Sequence, residues 1–326
     1  MAISFDLVND NAPPLAHHAA MSTSNVIFMH GGIHKYGSGK PDGSLWSYDL
    51  KADKWTRESK RGPTRAFHEG IALDERLLVI VGGFDGKTRA SDVWSYDLRS
   101  GDWLENDSSG FPRGGGLSSY TLSLLKRGDS AVITGRLGGI RTHRRAATVM
   151  KLSETGHGHF EYSDLPIHIN SRSGHTATAV SSNELVIIGG RDEQGSLDYE
   201  VLGIPSLKVT KTRLRIDSDQ EQGRRSRSRS SGRGVPSRKF HIALPTRDGD
   251  VLIHGGEGFN ALSTRNAAYS DLCLWKRGRF SELKSHKIPP LTGHKAVFCG
   301  HHIFVTGGFG HKFAPSEIVY EVVQSD

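Results

Sequence analysis

Short apolar runs recur along the chain, and glycine closes each of them. The clearest, LLVIV (Leu77–Val81), ends at Gly82-Gly83; a polar loop follows, then VWSYDL (Val93–Leu98), a turn with Gly101, and Trp103. The same order returns at Gly31-Gly32, Gly189-Gly190, Gly255-Gly256 and Gly307-Gly308, with a degenerate copy at Gly135-Arg136. Successive copies lie 51–54 residues apart, except for one interval of 66. A further short run precedes each copy: RAFHEGIAL from Arg65, SGHTATAV from Ser173, KFHIAL from Lys239 and GHKAVF from Gly293. Runs this short, rich in branched and aromatic residues and bounded by glycine, predict strands.

A repeat of this period is too small for a domain and suits one four-stranded propeller blade. A lone blade would leave its apolar faces wet, whereas a ring of blades buries both faces of each sheet. The pattern therefore predicts an all-β, six-bladed propeller in one domain over 1–326. Its blades fall at about 16–59, 65–106, 117–163, 174–213, 240–283 and 294–322. The sixth repeat stops before its outermost strand. The segment 3–8 (ISFDLV) is expected to fill that place and close the ring, which hides sheet edges that would otherwise pair with other chains. Residues 214–237, rich in Arg and Ser and without apolar periodicity, are expected to be a disordered insertion.

Tyr48/Trp55 and Tyr96/Trp103, each placed after a glycine pair, resemble the kelch repeat. Phe160 and Phe280 stand where the Trp belongs in the third and fifth copies. GLSSYTL (Gly116–Leu122), GRLGGIRTHRR (Gly135–Arg145) and SRSGH (Ser171–His175) are similar to a branch of that family made of a bare propeller, without the BTB or F-box part of ubiquitin-ligase adaptors. The resemblance supplies no catalytic residues, and with no catalytic constellation in the sequence and no cofactor expected, a non-catalytic protein-interaction module is the expectation. Some six-bladed relatives are sugar mutarotases with acid–base groups in the central channel. Glu69 as acid and Arg136 as cation are the candidates for that enzymatic alternative.

Charge sharpens the interaction reading. The chain carries a net +7. In a propeller, the loops after each glycine pair and the loops entering each innermost strand gather on one face. On that face they hold 25 Lys and Arg against 10 Asp and Glu; the remainder holds 17 against 25. Such a field steers acidic partners and weakens with salt. The candidate partner-binding residues are Lys60, Arg61, Arg65, Arg141, Arg144, Arg145, Arg172 and Arg191. Arg65, Arg172 and Arg238 also recur just before innermost strands, where a role in bonding neighbouring blades competes with docking. An acidic protein or peptide is the expected partner, and the propeller is expected to be a monomer.

Other constellations add less. His18, His68, His175, His241 and His294 recur 13 or 14 residues before a glycine pair. Equivalent places in different blades lie too far apart to share one ion, whose ligands must sit at about 2.0–2.1 Å; a structural role is expected and no metal. Cys273 and Cys299 fall inside predicted strands and read as buried free thiols of an intracellular, cytoplasmic or nuclear, chain. No apolar run approaches the roughly 20 residues of a membrane span, and MAISFDLVND has no signal-peptide pattern. The segment GRRSRSRSSGRG (223–234) offers RNA association as a further alternative, with Ser226, Ser228 and Ser230 as phosphorylation candidates that would reduce its charge.

Overall fold

A computed structural model describes the chain apart from residues 1, 39, 74, 112–114, 125–129, 137–146, 157, 170–171, 191–198, 204–207, 213–237, 259–267, 284–288 and 326. The described residues form twenty-four strands and one turn of 3-10 helix, His311–Phe313, in an all-β, propeller-like arrangement. The N-terminal strand β1 (Ala2–Asn9) is followed by β2 (Ala19–Ser22), β3 (Val26–His30), β4 (Leu45–Asp49) and β5 (Lys54–Ser59). Next come β6 (Glu69–Leu73), β7 (Leu77–Phe84), β8 (Arg89–Asp97) and β9 (Asp102–Ser109), then β10 (Thr121–Leu124), β11 (Ser130–Arg136), β12 (Ala147–Gly156) and β13 (His159–His168). The second half holds β14 (Thr176–Ala179), β15 (Glu184–Ile188), β16 (Tyr199–Gly203) and β17 (Lys208–Thr212), then β18 (Ile242–Pro245), β19 (Val251–His254), β20 (Leu272–Lys276) and β21 (Arg279–Leu283). Last are β22 (Lys295–Cys299), β23 (His302–Thr306) and β24 (Val319–Ser325).

Hydrogen bonding sorts these strands into five sheets, where the repeat predicts six. The difference lies in one eight-stranded sheet. Within it β6–β9 and β10–β13 each run antiparallel in chain order, and β13 meets β9 through three parallel pairs, His159↔Asp107, Phe160↔Ser108 and Glu161↔Ser109. The two strands that meet are long: β9 and β13 have 8 and 10 residues, against 5 or 6 in β5, β17 and β21. Their unpaired outer edges run far enough to find each other. Strand β1 lies outermost in the sheet ordered β1-β24-β23-β22, with Ile3 opposite Gln324 and Phe5 opposite Val322. Asn9, at its end, accepts a bond from Trp55 Nε1 and donates to Asp53, which ties this sheet to the next.

Packing between units is cyclic. The innermost strands touch in the order β2, β6, β10, β14, β18, β22, and β22 touches β2 again. Apolar clusters fill the same boundaries. Met21 and Phe28 pack with Leu78 and Ile80; Val79 and Val81 with Ile133; Val132 with Ile187; Val186 and Ile188 with Ile253 and Cys273; Leu252 with Val305; and Val297 and Phe304 with Ile27 and Tyr48. The second strand of each unit is therefore buried on both faces, which is why it reads as a continuous apolar run rather than an alternating one.

A ring of backbone hydrogen bonds sits where the innermost strands begin. His17 N–H donates to Gly293, Gly293 to Phe240, Phe240 to Gly174, Gly174 to Ser119, Ser119 to Phe67 and Phe67 back to His17, all at 2.7–2.9 Å. All six residues have φ between 55° and 69°. Four of them are not glycine, so each carries a strain cost that the surrounding structure must hold in place. The glycine pairs supply a second link: a Cβ on Gly31 would lie 2.4 Å from the Arg65 carbonyl oxygen and 2.8 Å from the His68 ring. Where the pair is lost, Arg136 continues β11 and pairs with Ala147.

Gly293→Val adds a branched side chain at φ +67°, with its Cβ 2.6 Å from the His17 ring. The expected loss is about 2–4 kcal/mol, from left-handed strain and overpacking together. Urea unfolding followed by tryptophan fluorescence measures it; an unchanged midpoint would show that the ring does not constrain the fold.

Candidate functional site

The innermost strands surround a central cavity of about 200 Å³. One end is stoppered. The rings of His17, Phe67 and Phe240 meet there with centroids 4.2, 4.6 and 5.8 Å apart, and buried Phe309 and then Tyr36 and Phe313 lie beyond His17 on the side of the glycine pairs. At the other end the innermost strands finish in Ser22, Leu73, Leu124, Ala179, Pro245 and Cys299, none of them charged. Leu124 and Phe298 are 41% and 49% exposed, so this end opens to solvent.

Inside the cavity Glu69 of β6 meets Lys295 of β22, Oε1 to Nζ 2.5 Å. Each lies two residues after its ring residue, Phe67 or Gly293, and the equivalent residue on the intervening strand β2 is Ala19. Burial pushes the Glu69 carboxyl up, and Lys295 opposes that shift. Tyr120 holds the same strand: its hydroxyl donates to the Val81 carbonyl at 2.5 Å and accepts the Glu69 N–H at 3.1 Å. Burial, then the Glu69 charge, raise the Tyr120 phenol well above its usual range. The sequence singled out Glu69 with Arg136; the cation that the structure places beside Glu69 is Lys295. The signal for it was present, since GHKAV aligns Lys295 with Glu69 of FHEGI.

The recurring histidines are couplers between units. His18 Nε2 lies 3.1 Å from Thr306 Oγ1, His175 Nε2 2.9 Å from Thr134 Oγ1 and His241 Nε2 3.0 Å from Thr176 Oγ1. His68 and His294 reach His30 and His254 at 2.9 and 3.2 Å. The partner precedes a glycine, or the Gly135 remnant, in the previous unit in every case but Thr176; there apolar Ile188 occupies that place. Tyr120 stands in for the histidine of the third unit. Burial drives these imidazoles down, His18, His30 and His175 to about 3 and His254 to about 4, with His68, His241 and His294 also well below their ordinary value. They are neutral at physiological pH, so the bonding nitrogen of each ring either donates or accepts according to its tautomer.

The arginines before the innermost strands prove to be struts. Arg172 is fully enclosed, donates to the Gly189 carbonyl at 2.8 Å and pairs with buried Glu200 at 2.9 Å. Arg238 does the same with Gly255 and Asp271, at 3.0 and 2.5 Å. Arg65, its side chain 13% exposed, pairs with Asp92 at 2.5 Å. These side-chain bonds lie within one unit, while the Arg65 and Arg238 carbonyls accept from Gly32 and Gly190 N–H of the preceding unit, so these positions bond neighbouring blades through the backbone. Burial removes Arg172 from the partner-binding set and leaves Arg65 a mainly structural cation. Lys60 and Arg61 are exposed. Arg141, Arg144, Arg145, Arg191, the insertion 214–237 and Ser226, Ser228 and Ser230 lie outside the described residues. Both cysteines are buried and free; burial pushes the Cys273 thiol up to about 12 and raises that of Cys299.

The strand order, the ring of couplers and the Tyr48–Trp55 and Tyr96–Trp103 pairs, at 5.0 and 5.2 Å, are those of a kelch-repeat protein. The KLHDC2/KLHL20/DRC7 Kelch-repeats domain family matches residues 4–190, and the chain belongs to it. It is similar to Kelch domain-containing protein 9 of Mus musculus, 26% identical over 333 residues that cover 90% of this chain and 87% of that protein. Kelch domain-containing protein 9 of Homo sapiens is 27% identical over 184 residues, 54% of this chain and 52% of that protein. The solved structure of YjhT superposes with a TM-score of 0.73 over 98% of each chain at 12% identity, a likeness of fold.

Two outcomes follow from the struts and couplers. Arg172→Ala leaves Glu200 charged and buried, with an expected cost of about 3–5 kcal/mol in chemical denaturation; a loss below 1 kcal/mol would overturn the strut role. Below about pH 6.5 the unfolded chain takes up protons that the buried histidines refuse, so stability is full above that pH and falls toward the folded values near 3. Each histidine contributes about 1.4 kcal/mol per pH unit in that window. The urea midpoint should therefore drop steeply from pH 6.5 to 5, and a flat profile would show that these rings titrate normally.

Proposed function

We propose that this protein is a non-catalytic interaction propeller that docks an acidic segment of a protein partner on the loop face around its glycine pairs. The reading includes a six-bladed ring, with the eight-stranded sheet counted as two blades and β1 closing the sixth. The cyclic contact of six innermost strands and the six-membered hydrogen-bond ring support that count. Kelch propellers generally bind proteins, which supports the class of partner.

The observation that carries the docking face is a run of exposed cations over adjoining loops: Lys35, Lys40, Lys60, Arg61, Lys87 and Arg89. The loops are joined. Gly43 packs against Gly62, Gly32 N–H donates to the Arg65 carbonyl, and Arg65 reaches Asp92. Of the carboxylates nearby, Asp42 is occupied by Ser44 and His34, and Asp85 by the Lys87 and Thr88 amides and the Thr88 hydroxyl. Their hydrogen bonds hold both carboxyls below the usual range despite the opposing effect of burial. They serve the loops, while the lysine and arginine heads extend into water. Arg141, Arg144, Arg145 and Arg191, which lie outside the described residues, are proposed to extend this face. Among the described residues no helix is long and apolar enough to cross a membrane; a cytoplasmic or nuclear monomer accompanies this reading.

The test is affinity capture with the full chain as bait, beside Lys60→Glu/Arg61→Glu. Wild-type protein should retain partners with clustered Asp and Glu, with retention falling as salt rises. The double variant should retain them at least tenfold less while keeping its melting temperature. Equal retention by both proteins would refute the docking face.

A further inference from the structure

The central cavity has a chemistry that the loop face does not share. It is blind: the aromatic stopper closes the glycine-pair end, and entry is from the opposite face through a mouth whose strand-end residues carry no charge. Its volume, about 200 Å³, lies below the roughly 300–1,000 Å³ of sites for drug-sized molecules. A folded segment does not fit there, but a compact small molecule does.

The charges inside are balanced. At the level of Glu69 and Lys295 the other innermost strands contribute Ala19, Thr121, Thr176 and Ile242. The neighbouring histidine rings are neutral couplers. Among the described residues, one carboxylate and one ammonium therefore face the cavity, 2.5 Å apart, with side chains 21% and 26% exposed. An anion entering alone would take Lys295 and leave Glu69 without its counter-charge; a cation entering alone would strand Lys295. Stranding a charge in a confined site is unfavourable. A molecule bearing both charges leaves neither side chain stranded, since its ammonium can meet Glu69 and its carboxylate Lys295. Small residues next to the pair, Ala177, Ala243 and Ala296, leave room for the body of such a molecule. Each innermost strand is paired on one side, so the other edge offers backbone donors and acceptors to a polar ligand.

We propose that the blind channel is a binding site for a compact zwitterion of the α-amino-acid type, held between Glu69 and Lys295 and entering from the face opposite the glycine pairs. The site is independent of the docking face, so either can fail without the other.

Isothermal titration calorimetry of the full chain tests it, with the twenty L-amino acids as probes. Each is compared with the amine lacking its carboxylate and the acid lacking its amine; glucose and N-acetylneuraminic acid serve as sugar controls. At least one amino acid should bind tenfold or more tightly than both single-charge analogues and both sugars. Glu69→Gln and Lys295→Gln should each weaken that binding at least tenfold. Ala296→Leu, which enlarges an uncharged lining residue, should abolish it in a variant that keeps the wild-type melting temperature, and Lys60→Glu/Arg61→Glu should leave it unchanged. Absence of amino-acid binding overturns the proposal, as does equal binding of a single-charge analogue, preference for a sugar, or retention of binding in Ala296→Leu. Should one charge variant fail to fold, the wild-type selectivity and the remaining variants still decide.

Discussion

Six peptide groups that hydrogen-bond in a cycle constrain everything else in this molecule. Each link needs a residue in the left-handed region, placed immediately before the coupler of its own unit. That conformation turns the chain sharply, so the next residue (His18, His68, Tyr120, His175, His241 or His294) points into the neighbouring unit. The coupler then meets a hydroxyl, a second imidazole or a carbonyl there. No unit can make these bonds alone. Local strain at His17, Phe67, Ser119 and Phe240 is stabilised only when the neighbours on both sides are present, which couples the units into one cooperative structure.

The same geometry separates two kinds of arginine. Arg172 and Arg238 lie two residues before a ring residue, where the side chain turns inward to a glycine-pair carbonyl and a carboxylate on the third strand (Glu200) or just before it (Asp271). Arg61 lies four residues earlier than its ring residue would place such a strut, and it projects into water. A cation's position relative to the ring, rather than its membership of a basic loop, decides whether it can meet a partner. The two ends of the axis differ for a related reason. His17, Phe67 and Phe240 bring aromatic rings to the ring positions, and these close one end, while small and apolar strand ends leave the other open.

The sequence made the repeat legible because buried second strands and positive-φ glycines leave few residue choices. LLVIV followed by Gly82-Gly83 has one physical reading, and the Tyr and Trp that face each other across β8 and β9 have another. The third unit was harder to read. Its Gly135-Arg136 lacks the second glycine, and its β13 is long enough to pair with β9, a contact between segments that no local pattern encodes. The candidate site was half legible: Glu69 stood out as an acid on an innermost strand, but the repeat does not state which strand places a cation beside it.

By itself, then, the sequence determined the all-β class, the unit length, the strand pattern and the basic bias of one loop set, because each is set by neighbours along the chain. Only the tertiary structure decided that Glu69 faces Lys295, that Arg172 is enclosed, and that one end of the channel is stoppered. Those outcomes depend on residues brought together from different units, as with Glu69 and Lys295 at 226 positions apart. Side-chain reach across a unit boundary is fixed by packing, and packing is not written in any single repeat.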